Sequence, residues 1–299
     1  MEHSLMGVGV ALVTPFDANN GIDYQGLKNM LDFTSEGGVD YFVVNGTTGE
    51  SPTTTSSEKS AILKFVKENN TKNLPIVYGI GGNNTAAVLE TIQNTDFEGV
   101  TAILSVCPYY NKPPQAGLIA HYTAIADASP VPVILYNVPG RTVTKIELHT
   151  ILTLAEHPNI IGIKDATSSL EFAMELSRLC PKDFLLLSGD DNLVTPLISM
   201  GWHGVISVIA NGFPKEFSEL TWTALKGNYE RAAQLQRKFL DFDVLLYVES
   251  NPVGIKKCCA IRGLCSDAMR LPLVPASEGL GEKLKAAMIA EGFWHPNHN

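Results

Sequence analysis

Long hydrophobic runs are missing from this chain: no segment approaches the roughly 18 uninterrupted apolar residues that span a membrane. The opening MEHSLMGVGVALVTPF lacks the basic region, long apolar stretch and small-residue cleavage site of a secretory signal, so the chain is expected to be cytoplasmic. Basic charge is also scarce. Lys and Arg number 22 against 31 Asp and Glu, a net charge of −9, which argues against nucleic acid or an anionic membrane as partner. A local basic pocket for a small carboxylate stays open. Cysteine is sparse and odd in number: Cys107, Cys180, Cys258, Cys259 and Cys265 contain no C-x-x-C pair, so neither a disulfide framework nor a zinc site is indicated. The seven histidines are scattered, and the terminal WHPNHN reads as a polar tail rather than a metal site.

What is present is core material, 45% hydrophobic residues in 299, enough for one large domain or a domain with an extension. Eight short β-branched runs recur, each followed by turn residues: GVGVALVTP, VDYFVVNG, LPIVYGIGG, GVTAILSV, VPVILYNVPG, NIIGIKDA, FLLLSGDD and GVISVIAN. Between them lie helical patterns, YQGLKNMLDFTSEG, SEKSAILKFVKENN, NTAAVLETIQNT, QAGLIAHYTAIADA, KIELHTILTLAEH and SLEFAMELSRLC. Apolar runs alternating with helices are the mark of βαβ units and a parallel sheet covered on both faces. Eight repeats predict a (β/α)8 TIM barrel over residues 1–213. Strand signals then stop, and residues 214–299 are expected to form a C-terminal helical region.

In a parallel barrel the strand ends and the loops after them gather on one face, and the informative motifs lie there. NIIGIKDATSS sets Lys164 at the end of an apolar run. Its stem can snorkel to water; alternatively the ammonium is desolvated, which lowers a lysine's pKa and leaves an amine that attacks ketones to form a Schiff base. NGTTGES offers glycines, adjacent hydroxyls and free amides, either as a plain turn or as a cradle for a carboxylate. YNVPGRT brings Tyr136 and Arg141 to one rim, as a core aromatic and a solvated charge, or as a phenol and a bidentate carboxylate binder. Lys164 follows Tyr136 by 28 positions, about one βα repeat, so a neighbouring strand end places the phenol near the amine. CPYYNKPPQ carries Tyr109 and Tyr110 on a proline-stiffened loop suited to an interface. In SGDD the acids suit a helix start, while Gly189 can admit a ligand close to backbone.

Together GTTGES, PYYNKP, YNVPGRT, IGIKDAT, SGDD and GVISV, with ESNPVGIKK and MRLPLV further on, resemble the dihydrodipicolinate synthase family of pyruvate-dependent class I aldolases over nearly the whole chain. The resemblance implies a (β/α)8 barrel with a C-terminal helical part and a 4-hydroxy-tetrahydrodipicolinate synthase activity in lysine and diaminopimelate biosynthesis. Lys164 would be the Schiff-base lysine, Tyr136 the proton-transfer phenol, and Thr47 the relay between Tyr136 and Tyr110, which enters a neighbouring subunit's site. Thr48 would bind the carboxylate of pyruvate and Arg141 that of L-aspartate-4-semialdehyde, with backbone contacts from Gly189 and Ile206. The expected assembly is a homo-oligomer, a tetramer built as a dimer of dimers. No metal or other cofactor is expected, since an iminium serves as the electron sink that a metal provides elsewhere.

The competing activity is another pyruvate-dependent lyase, such as an N-acetylneuraminate lyase or a keto-deoxy sugar-acid aldolase; Arg141 favours a short aldehyde bearing a carboxylate. The resemblance also bears on feedback. Members inhibited by L-lysine use a histidine-rich helix start and a glutamate for its ammonium, whereas this chain has Ser56, Lys59 and Ala87 at the matching positions, although Ser51, Asn83 and Tyr109 are retained. Weak lysine inhibition is therefore expected.

Overall fold

The computed structural model describes residues 4–295, so most of the WHPNHN tail lies outside the described residues. Eight strands, β1 (Gly7–Ala11), β2 (Tyr41–Val44), β3 (Ile76–Gly79), β4 (Ala102–Val106), β5 (Val133–Asn137), β6 (Ile160–Asp165), β7 (Leu185–Ser188) and β8 (Gly204–Ser207), each pair in parallel with the next, and β8 closes on β1. The (β/α)8 barrel expected from the eight runs is the fold observed.

The period-2 alternation of strand side chains divides the core in two. Val8, Val10, Phe42, Val44, Val133, Leu135 and Ile163 face outward to the helices in one large cluster. Ala11, Tyr41, Val43, Ile134, Tyr136, Leu187 and Ile206 fill the barrel interior. A Cβ at Gly9 would sit within the ring of Tyr41, so glycine at this position lets that large phenol cross the interior. Because Ile163 points outward, Lys164 must point inward, on the same side as Tyr136 of the neighbouring strand.

The structure departs from the sequence pattern at several ends. The run GVISVIAN stops being a strand at Ser207 and continues as a tight turn, Ile209–Asn211. There the Asp191 carboxylate accepts the amides of Val208 and Ile209, and Asn211 both accepts from Val13 N–H and donates to Ala11 C=O. These bonds replace the ladder. Two helices absent from the pattern occur, Pro139–Thr142 and Val194–Ser199. The second, VTPLIS, contains a proline and buries four of its residues, so it has no polar stripe to reveal it.

After β8 only helices follow among the described residues: Pro214–Leu225, Tyr229–Tyr247, Val253–Ile261 and Glu278–Ala290. An aromatic cluster fixes them to the barrel. Phe213, directly after the β8 turn, meets Phe242 edge-on at 4.8 Å, and Phe293 stacks on Phe239 at 4.5 Å. No helix among the described residues is long and apolar enough to cross a membrane.

Candidate active site

Tyr136 and Lys164 are direct register partners on β5 and β6. Lys164 is 6% exposed, and its Nζ lies 4.2 Å from the centroid of the Tyr136 ring, over its face. No carboxylate among the described residues is within ion-pair distance of Lys164. The next pair in register, Asn137 and Asp165, locks the two strand ends: Asn137 Nδ2 donates to Asp165 at 3.0 Å, and the Thr167 hydroxyl donates to the same carboxylate at 2.6 Å. Burial raises the Asp165 carboxyl above the ordinary range against the pull of these donors. Gly189, after β7, leaves room for the amine, since a Cβ there would lie 3.0 Å from Lys164 Cε and 2.8 Å from Ala166.

The GTTGES turn follows β2. Asn45 and Glu50 both hold left-handed backbone, and Gly49 N–H and Glu50 N–H return to Gly46 C=O and Thr47 C=O. Left-handed conformation is unfavourable for such residues and persists only where neighbours enforce it. Here Thr14 donates to Gly49 C=O, and the Glu50 carboxylate is engaged by Lys256 Nζ at 2.6 Å and by Arg270 N–H at 3.3 Å. Lys256 in turn donates to Ala268 C=O. The Thr48 hydroxyl is buried and accepts from Asn251 Nδ2 at 3.2 Å.

A cavity of about 420 Å³ opens at these strand ends, lined by Lys164, Tyr136, Thr47, Thr48, Arg141 and Gly189. Six of the eight residues singled out from sequence therefore share one space. Arg141 is exposed at its rim on the short helix Pro139–Thr142. The other two stand apart. Ile206 is buried in the barrel-interior cluster, and Tyr110 is 88% exposed with a left-handed backbone on a loop tied down by Asn111 Nδ2 to Asn83 C=O. A second cavity of about 560 Å³ shares Gly46, Thr47, Leu104 and Tyr136 with the first and extends past Ser51, Ser56 and Lys59.

The sequence analysis assigned no binding role to the rest of the lining. Asp190, Asp243, Tyr247 and Asn251 also line the first cavity. Burial, reinforced by the charges of Asp191 and Asp190, raises Asp243 to about 8 and drives the Tyr247 phenol well above its ordinary value. Burial raises Asp191 to about 6. An aspartate midway along an amphipathic helix reads as solvent-facing, and only the packing of Tyr229–Tyr247 across the barrel mouth reveals otherwise. The signals in the sequence were SGDD, which contains Asp190 and Asp191, and the ESNPVGIKK segment, which contains Asn251 and Lys256. Among the described residues no group of three or more His, Cys, Asp or Glu is arranged to hold a metal ion. The cavity lining thus combines two basic residues, Lys164 and Arg141, with two acidic ones, Asp190 and Asp243.

Residues 4–291 match the model of the dihydrodipicolinate synthetase family. The 4-hydroxy-tetrahydrodipicolinate synthase of Cytophaga hutchinsonii is 46% identical over 296 residues, 99% of this chain and all of that protein. Among solved structures, the chloride-inhibited dihydrodipicolinate synthase of Acinetobacter baumannii complexed with pyruvate superposes with a TM-score of 0.94 at 38% identity, covering 97% of this chain and 100% of that one. The enzyme of Cyanidioschyzon merolae with lysine bound gives 0.93 at 36% identity, covering 98% and 100%.

Proposed function

The chain belongs to the dihydrodipicolinate synthetase family, and from that premise we infer that it condenses pyruvate with L-aspartate-4-semialdehyde through a Schiff base on Lys164. The observation that carries the assignment of the lysine is its placement: an inward amine at a strand end, 4.2 Å from the Tyr136 ring, in a cavity that also holds Thr47 and Thr48.

In this reading the Lys164 amine adds to the ketone carbon of pyruvate, the carbinolamine loses water, and the resulting iminium draws electrons from the methyl group. Loss of a methyl proton gives an enamine. Its carbon attacks the aldehyde of the second substrate, and the new alkoxide takes a proton. The substrate's amine then adds to the iminium carbon, Lys164 departs as the leaving amine, and the ring closes. Tyr136 is the phenol that passes protons at these steps, because it is the hydroxyl-bearing side chain nearest the lysine in register. Thr47 carries the relay outward to Tyr110 of a second subunit, an assignment supported by the exposure of Tyr110. Thr48 and the turn amides receive the pyruvate carboxylate, Arg141 that of the semialdehyde, and Gly189 and Ile206 supply backbone contacts.

The working assembly in this reading is a homotetramer, a dimer of dimers, acting in the cytoplasm. Residues 1–213 carry the chemistry and residues 214–299 form the helical region, from which Asn251, Lys256 and Arg270 brace the GTTGES turn and Asp243, Tyr247 and Asn251 add to the cavity lining. Borohydride reduction in the presence of pyruvate tests the central step. Mass spectrometry is expected to find the adduct on Lys164 and to find none in Lys164→Ala; an adduct that survives the substitution overturns the assignment.

A further inference from the structure

The segment between the helices Tyr229–Tyr247 and Val253–Ile261 delivers two side chains to one turn. Ser250 N–H donates to Tyr247 C=O at 3.1 Å, and the backbone at Ser250 is left-handed. Asn251 follows directly, and its Nδ2 donates to the Thr48 hydroxyl at 3.2 Å. Lys256, in the helix that comes next, holds Glu50 at 2.6 Å. These contacts from 203 and 206 positions away fall on either side of Gly49. Asn251 and Thr48 are both buried, 6% and 3% exposed, and both line the cavity that contains Lys164.

A hydroxyl carries one proton and two lone pairs. At Thr48 the Asn251 amide occupies the accepting side, and among the described residues no acceptor takes the Thr48 proton. The backbone amides of Thr47 and Thr48 likewise donate to no group among the described residues. Two adjacent residues of the turn therefore hold three donors without acceptors, which suits a carboxylate, a group that only accepts. The direction of the Thr48 proton is decided by its partner. Were that partner an acceptor, the hydroxyl would spend its proton on it and leave only lone pairs for the ligand, which an anion avoids.

We propose that Asn251 is a positioning residue for the first substrate: by donating to Thr48 it fixes the Thr48 hydroxyl as a donor toward the pyruvate carboxylate. The proposal rests on the condensation inferred above. It gives the C-terminal helical region a part in pyruvate affinity, through a side chain outside the barrel. Asn251 and Lys256 then act differently on the same turn. Lys256 holds its shape through the buried charge of Glu50, whereas Asn251 sets the direction of one proton in it.

Steady-state kinetics of four variants test this. Asn251→Ala is expected to raise the KM for pyruvate by about fivefold, the scale of one neutral hydrogen bond, and the KM for aspartate semialdehyde by much less. Thr48→Val removes the hydroxyl, so adding Asn251→Ala to it should raise the pyruvate KM no further. Asn251→Asp is nearly isosteric and reports even where Asn251→Ala folds poorly. Its carboxylate takes the Thr48 proton and repels an anion, so at alkaline pH its pyruvate KM should exceed that of Asn251→Ala, then fall toward the wild-type value as acidification protonates the new carboxyl. Each KM is taken as a ratio to wild type at the same pH, which removes the response of Lys164, Arg141, Tyr136, Asp190, Asp243 and Tyr247 in the same lining. Effects of Asn251→Ala and Thr48→Val that add in the double variant overturn the proposal, and so does an Asn251→Asp enzyme that binds pyruvate as well as Asn251→Ala at alkaline pH. Borohydride trapping of pyruvate on Lys164 is scored in the wild type: its absence removes the condensation itself, whereas trapping with additive effects removes only the role of Asn251.

Discussion

Glu50 and Lys256, 206 positions apart, form an ion pair of 2.6 Å whose side chains are 1% and 0% exposed. The pair joins the turn after β2 to the helix Val253–Ile261 and holds Glu50 in its left-handed conformation. Removing one partner strands a buried charge. Lys256→Met is therefore predicted to lower the unfolding free energy by about 3 to 5 kcal/mol, and Lys256→Met with Glu50→Leu to recover much of that loss. Urea titrations of the three proteins provide the measurement; a double variant as unstable as the single one would show that the pair acts through the turn geometry rather than through the stranded charge.

Arg141 is exposed at the cavity rim. Arg141→Ala should raise the KM for aspartate semialdehyde far more than that for pyruvate, by the loss of about 1.5 to 3 kcal/mol of a charge-assisted contact. Steady-state kinetics with each substrate varied in turn decides this, and equal effects on both count against the role given to Arg141.

Tyr110 is outside its own chain's cavity and almost fully exposed. If it completes a neighbour's proton relay, mixing Tyr110→Phe with Lys164→Ala protomers should restore activity, because each mixed dimer contains one site with both residues intact. Verified subunit exchange without recovery of activity would place Tyr110 outside the relay.

Asp243 couples stability to pH. Its carboxyl sits at about 8 in the folded chain through burial and the charges of Asp191 and Asp190, against about 3.9 when unfolded. Between these values the folded state holds a proton that the unfolded chain has lost, so stability falls as pH rises toward 8. From pH 6 to 9 the wild type should lose about 2 to 3 kcal/mol more than Asp243→Asn. Denaturation at the two pH values checks this, and parallel losses would assign the pH dependence to other groups.

L-lysine should inhibit weakly. Ser56, Lys59, Ala87 and Glu90 all line the second cavity. Lys59 repels a cationic ligand, and Ala87 offers nothing to its ammonium, a missing contact of about 1.5 to 3 kcal/mol. Glu90, one helical turn from Ala87, is the carboxylate able to compensate. Initial rates titrated with lysine at subsaturating pyruvate give the answer, and half-inhibition well below millimolar would show that Glu90 does so.

The local sequence by itself determined the barrel and one side of the site. Short apolar runs repeated eight times admit few folds, a parallel barrel brings all strand ends to one face, and the family resemblance of the motifs found there picked out Lys164, Tyr136, Thr47, Thr48, Arg141 and Gly189 before any coordinates. Period-2 alternation, local to each strand, even dictates that Lys164 points inward. The tertiary structure alone decided the rest. Asp243, Tyr247, Asn251 and Lys256 lie on helices and a turn whose docking depends on contacts such as Phe213 with Phe242, formed between distant segments that carry no shared periodicity. An aspartate in a helix has the same local pattern in solvent as against a cavity; desolvation by the packed barrel mouth, together with its acidic neighbours, is what distinguishes Asp243.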